Sequence, residues 1–178
     1  MIEVLWHGRG GQGAFTAARI LGAAYSFKGE GFFALAFPSF GPERRGAPIR
    51  AFTKLSNKPL HSRSEIKKSD YIIYLDDTLF SQDSLNTLKE NGKIILNTTA
   101  TYEDTRIITF DATKIASEIL GLRVTNTVML GALSAFFDQV SVKDIEFAIE
   151  KAMPQKLWKG NKAVITAAYN ALAKGAAA

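Results

Sequence analysis

The sequence contains no cysteine and only two histidines, His7 and His61, among its 178 residues. The first absence excludes disulfides, thiolate zinc sites, a cysteine nucleophile and cysteine-ligated iron–sulfur clusters within this chain. The second leaves little for a histidine-based metal centre. Redox chemistry here therefore needs a borrowed cofactor or a partner chain. Long apolar runs are also missing. Residues 32–37 and 128–137 are the longest stretches, and the second is broken by Gly131 and Ser134. Both fall short of the roughly 20 residues that span a bilayer. Met1, Ile2 and Glu3 lack the basic segment that opens a signal peptide. The expected location is the cytoplasm, with no membrane partner.

What is present reads as globular: 47% hydrophobic and 22% charged residues are ordinary values for a folded chain. The length suits one domain over residues 1–178, burying roughly 70% of its unfolded surface. The net charge of +5 is unevenly placed. Residues 1–68 carry 11 basic and 4 acidic side chains, a balance of +7, whereas residues 69–178 carry 11 and 13, a balance of −2. A basic first third suits an anionic ligand or partner, or simply a solvated surface. Nucleic acid is not an expected partner, because zinc-finger spacing, an RNP-like aromatic motif and a dense Lys/Arg block are all missing.

The order of patterns points to an α/β class: a mostly parallel sheet, flanking helices and a helical C-terminal third. Residues 2–6 read as a buried strand stopping at a glycine cluster. Ala14, Ala17, Ala18, Leu21, Ala24 and Tyr25 follow at helical spacing. Residues 32–37 read as a second buried strand, so the opening predicts a βαβ unit with its two strands paired in parallel. Residues 49–55 suit a strand that is antiparallel or at an edge. Further strands are expected at 71–75, 93–97 and 106–110, with a helix over 78–90 ending at Asn91 and Gly92. Asp111 caps a helix to about residue 120, and Asn126 caps an apolar helix marked by Met129, Leu130, Leu133, Phe136, Phe137 and Val140. Ser141 with Asp144 resembles a capping box for a helix running to Pro154. Ile165, Ala168, Tyr169 and Leu172 mark a last helix.

Two segments could carry chemistry. Gly8, Arg9, Gly10, Gly11, Gln12 and Gly13 satisfy G-x-G-x-x-G between a strand and a helix. Glycine there allows a tight turn and close backbone approach to a ligand, with amides and the helix dipole favouring a phosphate. The bland alternative is a tight βα turn without a ligand. Ordinary NAD binding is disfavoured, since the acidic residue expected at the end of the second strand is replaced by Phe37, Pro38 and Ser39. The second segment, residues 38–48, holds Ser39, Glu43, Arg44 and Arg45 among glycines and prolines. It should emerge at the carboxyl edge of the sheet, where such folds gather ligands. There Arg44 and Arg45 could clamp phosphate oxygens or pair with carboxylates on another chain; a rigid surface loop is the plain alternative. His7 and the pair Asp76 and Asp77 are lesser candidates, the latter as helix caps. Catalytic sets are lacking: a Ser/His/Asp constellation, a carboxylate pair and a P-loop are all missing.

The two segments, in this order and about 25 residues apart, resemble the gamma subunit of 2-oxoacid:ferredoxin oxidoreductases, of which pyruvate:ferredoxin oxidoreductase (pyruvate synthase) is the best-known member. The resemblance covers nearly the whole chain. It implies a multi-subunit oxidoreductase that decarboxylates a 2-oxoacid, forms an acyl-coenzyme A and passes electrons to ferredoxin. Thiamine diphosphate and iron–sulfur clusters are then expected on partner subunits, with this chain non-catalytic. Coenzyme A becomes the expected anion at the glycine turn, and Gly8, Gly10, Gly11, Gln12, Gly13, Ser39, Arg44 and Arg45 the candidate binding residues. The corresponding subunit of the indolepyruvate enzyme and a stand-alone nucleotide- or flavin-binding module are the alternatives.

Overall fold

The computed structural model describes residues 1–39 and 45–173; Glu43 and Arg44 of the second segment lie outside the described residues. Six strands form one mixed sheet: β1 (Ile2–Arg9), β2 (Phe33–Pro38), β3 (Pro48–Ser56), β4 (Ser69–Tyr74), β5 (Leu88–Asn97) and β6 (Ile107–Phe110), in the order β2-β3-β1-β4-β5-β6. β1, β4, β5 and β6 pair in parallel, while β3 runs antiparallel to both β1 and β2. The helices are α1 (Ala14–Ser26), α2 (Ala112–Leu120), α3 (Asn126–Ser134), α4 (Val142–Ala152) and α5 (Trp158–Ala173).

Register explains why the strands read as apolar runs. Ala51, Trp6, Ile73 and Ile95 lie side by side across β3, β1, β4 and β5 on one face, and Phe52, Leu5, Ile72 and Ile94 on the other. The first row packs against α1 to α5. Trp6, fully buried, donates its indole N–H to Thr53 Oγ1 (3.1 Å), which donates to the Ala18 carbonyl (3.0 Å), fastening β1, β3 and α1 together. The second row has no α-helix over it among the described residues. It is covered by Ile66, Leu79, Phe80, Leu85 and Tyr102 from connecting segments. All nine residues of α3 are buried, and Gly131 lets it approach α5 so closely that a Cβ would sit 2.4 Å from the Ile165 carbonyl oxygen.

Several expectations are corrected. β1 and β2 do not pair, because β3 lies between them, so the opening unit is not a directly paired parallel βαβ. Consequently β2, expected to be buried, is an edge strand with only Phe37 buried, while β3 is interior and takes the antiparallel of the two arrangements expected for it. No α-helix fills 78–90. Two 3-10 turns, Asp77–Leu79 and Gln82–Thr87, are capped by the side chains of Asp76 and Ser81, and β5 starts at Leu88. Gly92 is not a helix stop: it lies within β5, where a Cβ would come 2.9 Å from the Ser69 carbonyl oxygen. Finally, α3 has Thr125 at its N-cap. Asn126 is the first helical residue, its Oδ1 accepting from Thr127 N–H and its Nδ2 turned to the Gly13 carbonyl. That helix also ends at Ser134, so Phe136, Phe137 and Val140 are not on its face; Phe137 and Val140 are buried from the connection to α4 instead. The two remaining caps hold: Asp111 accepts from Lys114 N–H, and Ser141 and Asp144 form a reciprocal capping box.

Candidate functional site

At the carboxyl end of β1, the chain turns over Arg9 to Gln12, with Gln12 N–H donating to the Arg9 carbonyl (2.9 Å). Gly11, at φ +95°, holds the third position of that turn, which favours glycine. Gly13 precedes α1 at φ +82°, and a Cβ there would meet Asn126 Nδ2 at 2.5 Å. The last glycine of the motif is therefore demanded by both backbone and space. Gly8 is buried, facing Ala14 and Gln12.

The two segments form one unit. Gly10 bridges Arg45, Gly10 N–H donates to the Ala47 carbonyl (2.8 Å), and Gly46 N–H donates to the Gly10 carbonyl (3.0 Å). Arg9 fastens the arrangement from the side. Its Nε donates to Asp76 Oδ2 (3.0 Å), with further bonds to the Gly46 carbonyl and to Thr78 Oγ1. The Gln12 side chain completes the clasp, accepting from Arg9 N–H (2.7 Å) and donating to Asp76 (3.0 Å). Burial alone would raise the Asp76 carboxyl, but hydrogen bonds from Thr78 and Gln12 and the charge of Arg9 outweigh it and hold it below the usual range.

This bonding decides which groups are free. Gly10 spends its amide on the Ala47 carbonyl and Gln12 on the Arg9 carbonyl, and the Gln12 side chain is spent on Arg9 and Asp76. Among the described residues no acceptor lies within reach of the Gly11 and Gly13 amides. Arg45 is exposed beside them. Ser39 is placed apart: its N–H donates to the Arg50 carbonyl (2.8 Å), across β3 from the turn. His7 is stacked on Tyr74 with ring centroids 4.4 Å apart, and burial together with the Arg50 charge lowers its pKa to about 4.

A cleft of about 760 Å³ opens from Gly11 and Gln12 along the carboxyl ends of β4, β5 and β6. Its walls include Asp76, Asp77 and Asp111, expected from the sequence as helix caps, and residues that carry no expected role. Asn97, Thr98 and Thr99 follow β5, Thr113 and Lys114 lie on α2, and Arg123 leads into α3. The signal was there in Asn97, Thr98 and Thr99, a polar triplet directly after an apolar strand. The walls are held from within: Asn97 donates to the Leu75 carbonyl (2.9 Å) and to Thr113 Oγ1 (3.1 Å), and Thr98 donates to Asp77 (2.8 Å). With Asp76, Asp77 and Asp111 thus engaged, Lys114 and Arg123 have no ionic partner among the described residues. Free amides at a helix start, two unpaired cations and a row of hydroxyls suit a phosphate-bearing ligand.

Comparison with known proteins agrees with the sequence resemblance. Residues 3–171 match the pyruvate ferredoxin/flavodoxin oxidoreductase family. The chain is 44% identical over 172 residues to pyruvate synthase subunit PorC of Methanothermobacter marburgensis, covering 95% of this chain and 96% of that one. It is 41% identical over 179 residues to the pyruvate/ketoisovalerate oxidoreductases common subunit gamma of Pyrococcus furiosus, covering 95% and 96%. Its fold superposes on the crystal structure of pyruvate oxidoreductase subunit PORC from Thermotoga maritima with a TM-score of 0.81 and 34% identity, over 95% of both chains.

Proposed function

The chain belongs to the pyruvate ferredoxin/flavodoxin oxidoreductase family, and from that membership we propose that it is the gamma subunit of a pyruvate:ferredoxin oxidoreductase. Such an enzyme decarboxylates pyruvate oxidatively, forms an acyl-coenzyme A and passes the electrons to ferredoxin. The observation that carries the assignment is likeness along almost the entire length of gamma-type subunits, at 44% and 41% identity. Within the complex this chain is a non-catalytic, cytoplasmic subunit. Thiamine diphosphate and the iron–sulfur clusters belong to its partners, and ferredoxin meets the complex rather than this chain. Which 2-oxoacid is used is set by the partners too: the relative from Pyrococcus furiosus carries a name shared between pyruvate and ketoisovalerate enzymes.

The part we assign to the chain itself is recognition of coenzyme A, which supplies the thiol that accepts the acyl group. The donor chemistry supports this. The Gly11 and Gly13 amides at the start of α1, with Arg45 beside them, would hold phosphate oxygens. Lys114 and Arg123 add charge along the cleft, and its hydroxyls suit a ribose. Two measurements test the assignment. Purification of the chain from its native source should bring down thiamine- and cluster-binding subunits, and its appearance alone would contradict the subunit role. Calorimetry on that complex should show coenzyme A binding. Tight NAD binding by the isolated chain, or flavin absorbance in it, would replace this reading with a stand-alone nucleotide-binding module.

A further inference from the structure

At the opposite edge of the sheet lies a basin of about 490 Å³ whose floor is Lys54. Lys54 sits on β3 between Glu3 of β1 and Leu35 of β2, on the face without α-helices. It is only 5% exposed. Its ammonium donates to Ser64 Oγ (3.2 Å) and weakly to the Ser62 carbonyl (3.4 Å), and lies 5.6 Å from the Phe37 ring centroid. All three are neutral partners. A buried ammonium without a counter-charge is costly, so cations this deep are ordinarily paired.

The neighbouring carboxylates do not supply that charge. Glu3 is held by Lys89 (3.1 Å), Asp70 by the same lysine (2.6 Å), and Glu65 by Arg50 (3.1 Å). Lys67 and Lys68, both exposed, line the basin as well, with His61, Ser62 and Ser64. Neither Lys67 nor Lys68 has a carboxylate within 4.0 Å among the described residues, and nor does Lys54. Three uncompensated ammonium groups, one of them buried, thus surround one basin that also offers the Ser64 hydroxyl, whose oxygen accepts from Ser62 Oγ (3.0 Å) and from Lys54, leaving its proton free.

We propose that this basin is an oxyanion-binding site, taking a phosphate or carboxylate group against Lys54 with Lys67 and Lys68 closing over it. Nothing in the coenzyme A reading depends on it, nor the reverse. Lys54 lies near the amino end of β1, and the glycine turn follows its carboxyl end, roughly 20 Å away at about 3.3 Å per strand residue.

The test is a titration of the isotopically labelled full-length chain with inorganic phosphate, followed by the backbone amide NMR signals of Ser62, Ser64, Lys67 and Lys68. Sodium chloride at matched ionic strength is the reference. Saturable shifts specific to phosphate are expected at these amides, and they should vanish in Lys54→Met. The doubly exposed variant Lys67→Gln with Lys68→Gln, which leaves the core untouched, should weaken binding by about tenfold. Repeating the titration on the assembled complex identifies the source of the anion. Amides already shifted and now silent to phosphate mean a partner's acidic side chain fills the basin. Amides that still respond mean a free small anion. The proposal is overturned if the wild-type chain shows no saturable shift there, if chloride reproduces it, or if both variants respond like the wild type.

Discussion

His7 shows how a residue next to a motif can be structural and still have a measurable consequence. Stacked on Tyr74 and faced by Arg50, it is held neutral, its pKa about 4 against an ordinary 6.5. Above pH 6.5 the imidazole is neutral in both folded and unfolded chains. Between pH 6.5 and 4 the unfolded chain binds a proton that the folded one refuses, so stability falls through that window and levels off below it. His7→Phe keeps a ring against Tyr74 and removes the proton. It should lose about 2 kcal/mol less stability than the wild type between pH 7 and pH 4.5, read by urea unfolding at each pH. Equal losses would mean that His7 is not held neutral. Gly13 makes the second prediction at this scale. A methyl group there meets Asn126 at 2.5 Å in a backbone conformation that disfavours side chains, so Gly13→Ala should cost about 1–3 kcal/mol in the same assay. A variant as stable as the wild type would mean that α1 and α3 can part at no cost.

At the scale of elements, the sheet face and the helix ends were legible where local chemistry decides them. The apolar strands, the Asp111 cap and the Ser141–Asp144 box are signals contained within a few residues, and each is found where the sequence places it. Pairing is not local. Nothing within residues 2–37 announces that β3 inserts between β1 and β2, since that choice is settled by Phe52 and Ala51 fitting the rows of Leu5 and Trp6. Likewise the segment from Thr78 to Glu90 reads as a helix, yet its Leu79, Phe80 and Leu85 cover a sheet face that no α-helix reaches among the described residues, and the segment breaks into short turns. The glycine turn was legible as a tight connection between a strand and a helix. Its clasp was not, because Arg9 and Asp76 are 67 residues apart and meet only through the parallel pairing of β1 and β4. Gly131 is a packing glycine of the same non-local kind. Because the Ile165 backbone cannot rotate out of the way, Gly131→Ala should destabilise the chain by about 3 kcal/mol, the upper part of the range for overpacking, in chemical denaturation. A neutral effect would show that α5 can shift on α3.

Over the whole molecule, the two opening features take on definite meaning. A chain without cysteine cannot ligate a cluster through thiolate, so the proposed function requires partner subunits to carry the electrons. The excess of positive charge in residues 1–68 divides between opposite ends of the sheet. Arg45 stands beside the glycine turn at the carboxyl end, and Lys54, Lys67 and Lys68 surround the basin at the amino end. The coenzyme A assignment proposed above rests on the first of these, where the turn and the arginine loop are laced together through Gly10, Gly46 and Ala47. The most direct test is steady-state kinetics of the assembled oxidoreductase carrying Arg44→Ala with Arg45→Ala, alongside gel filtration. The account predicts a KM for coenzyme A raised about tenfold, kcat changed by less than about twofold, and an intact complex. An unchanged KM in an intact complex, or dissociation of the complex, would contradict it.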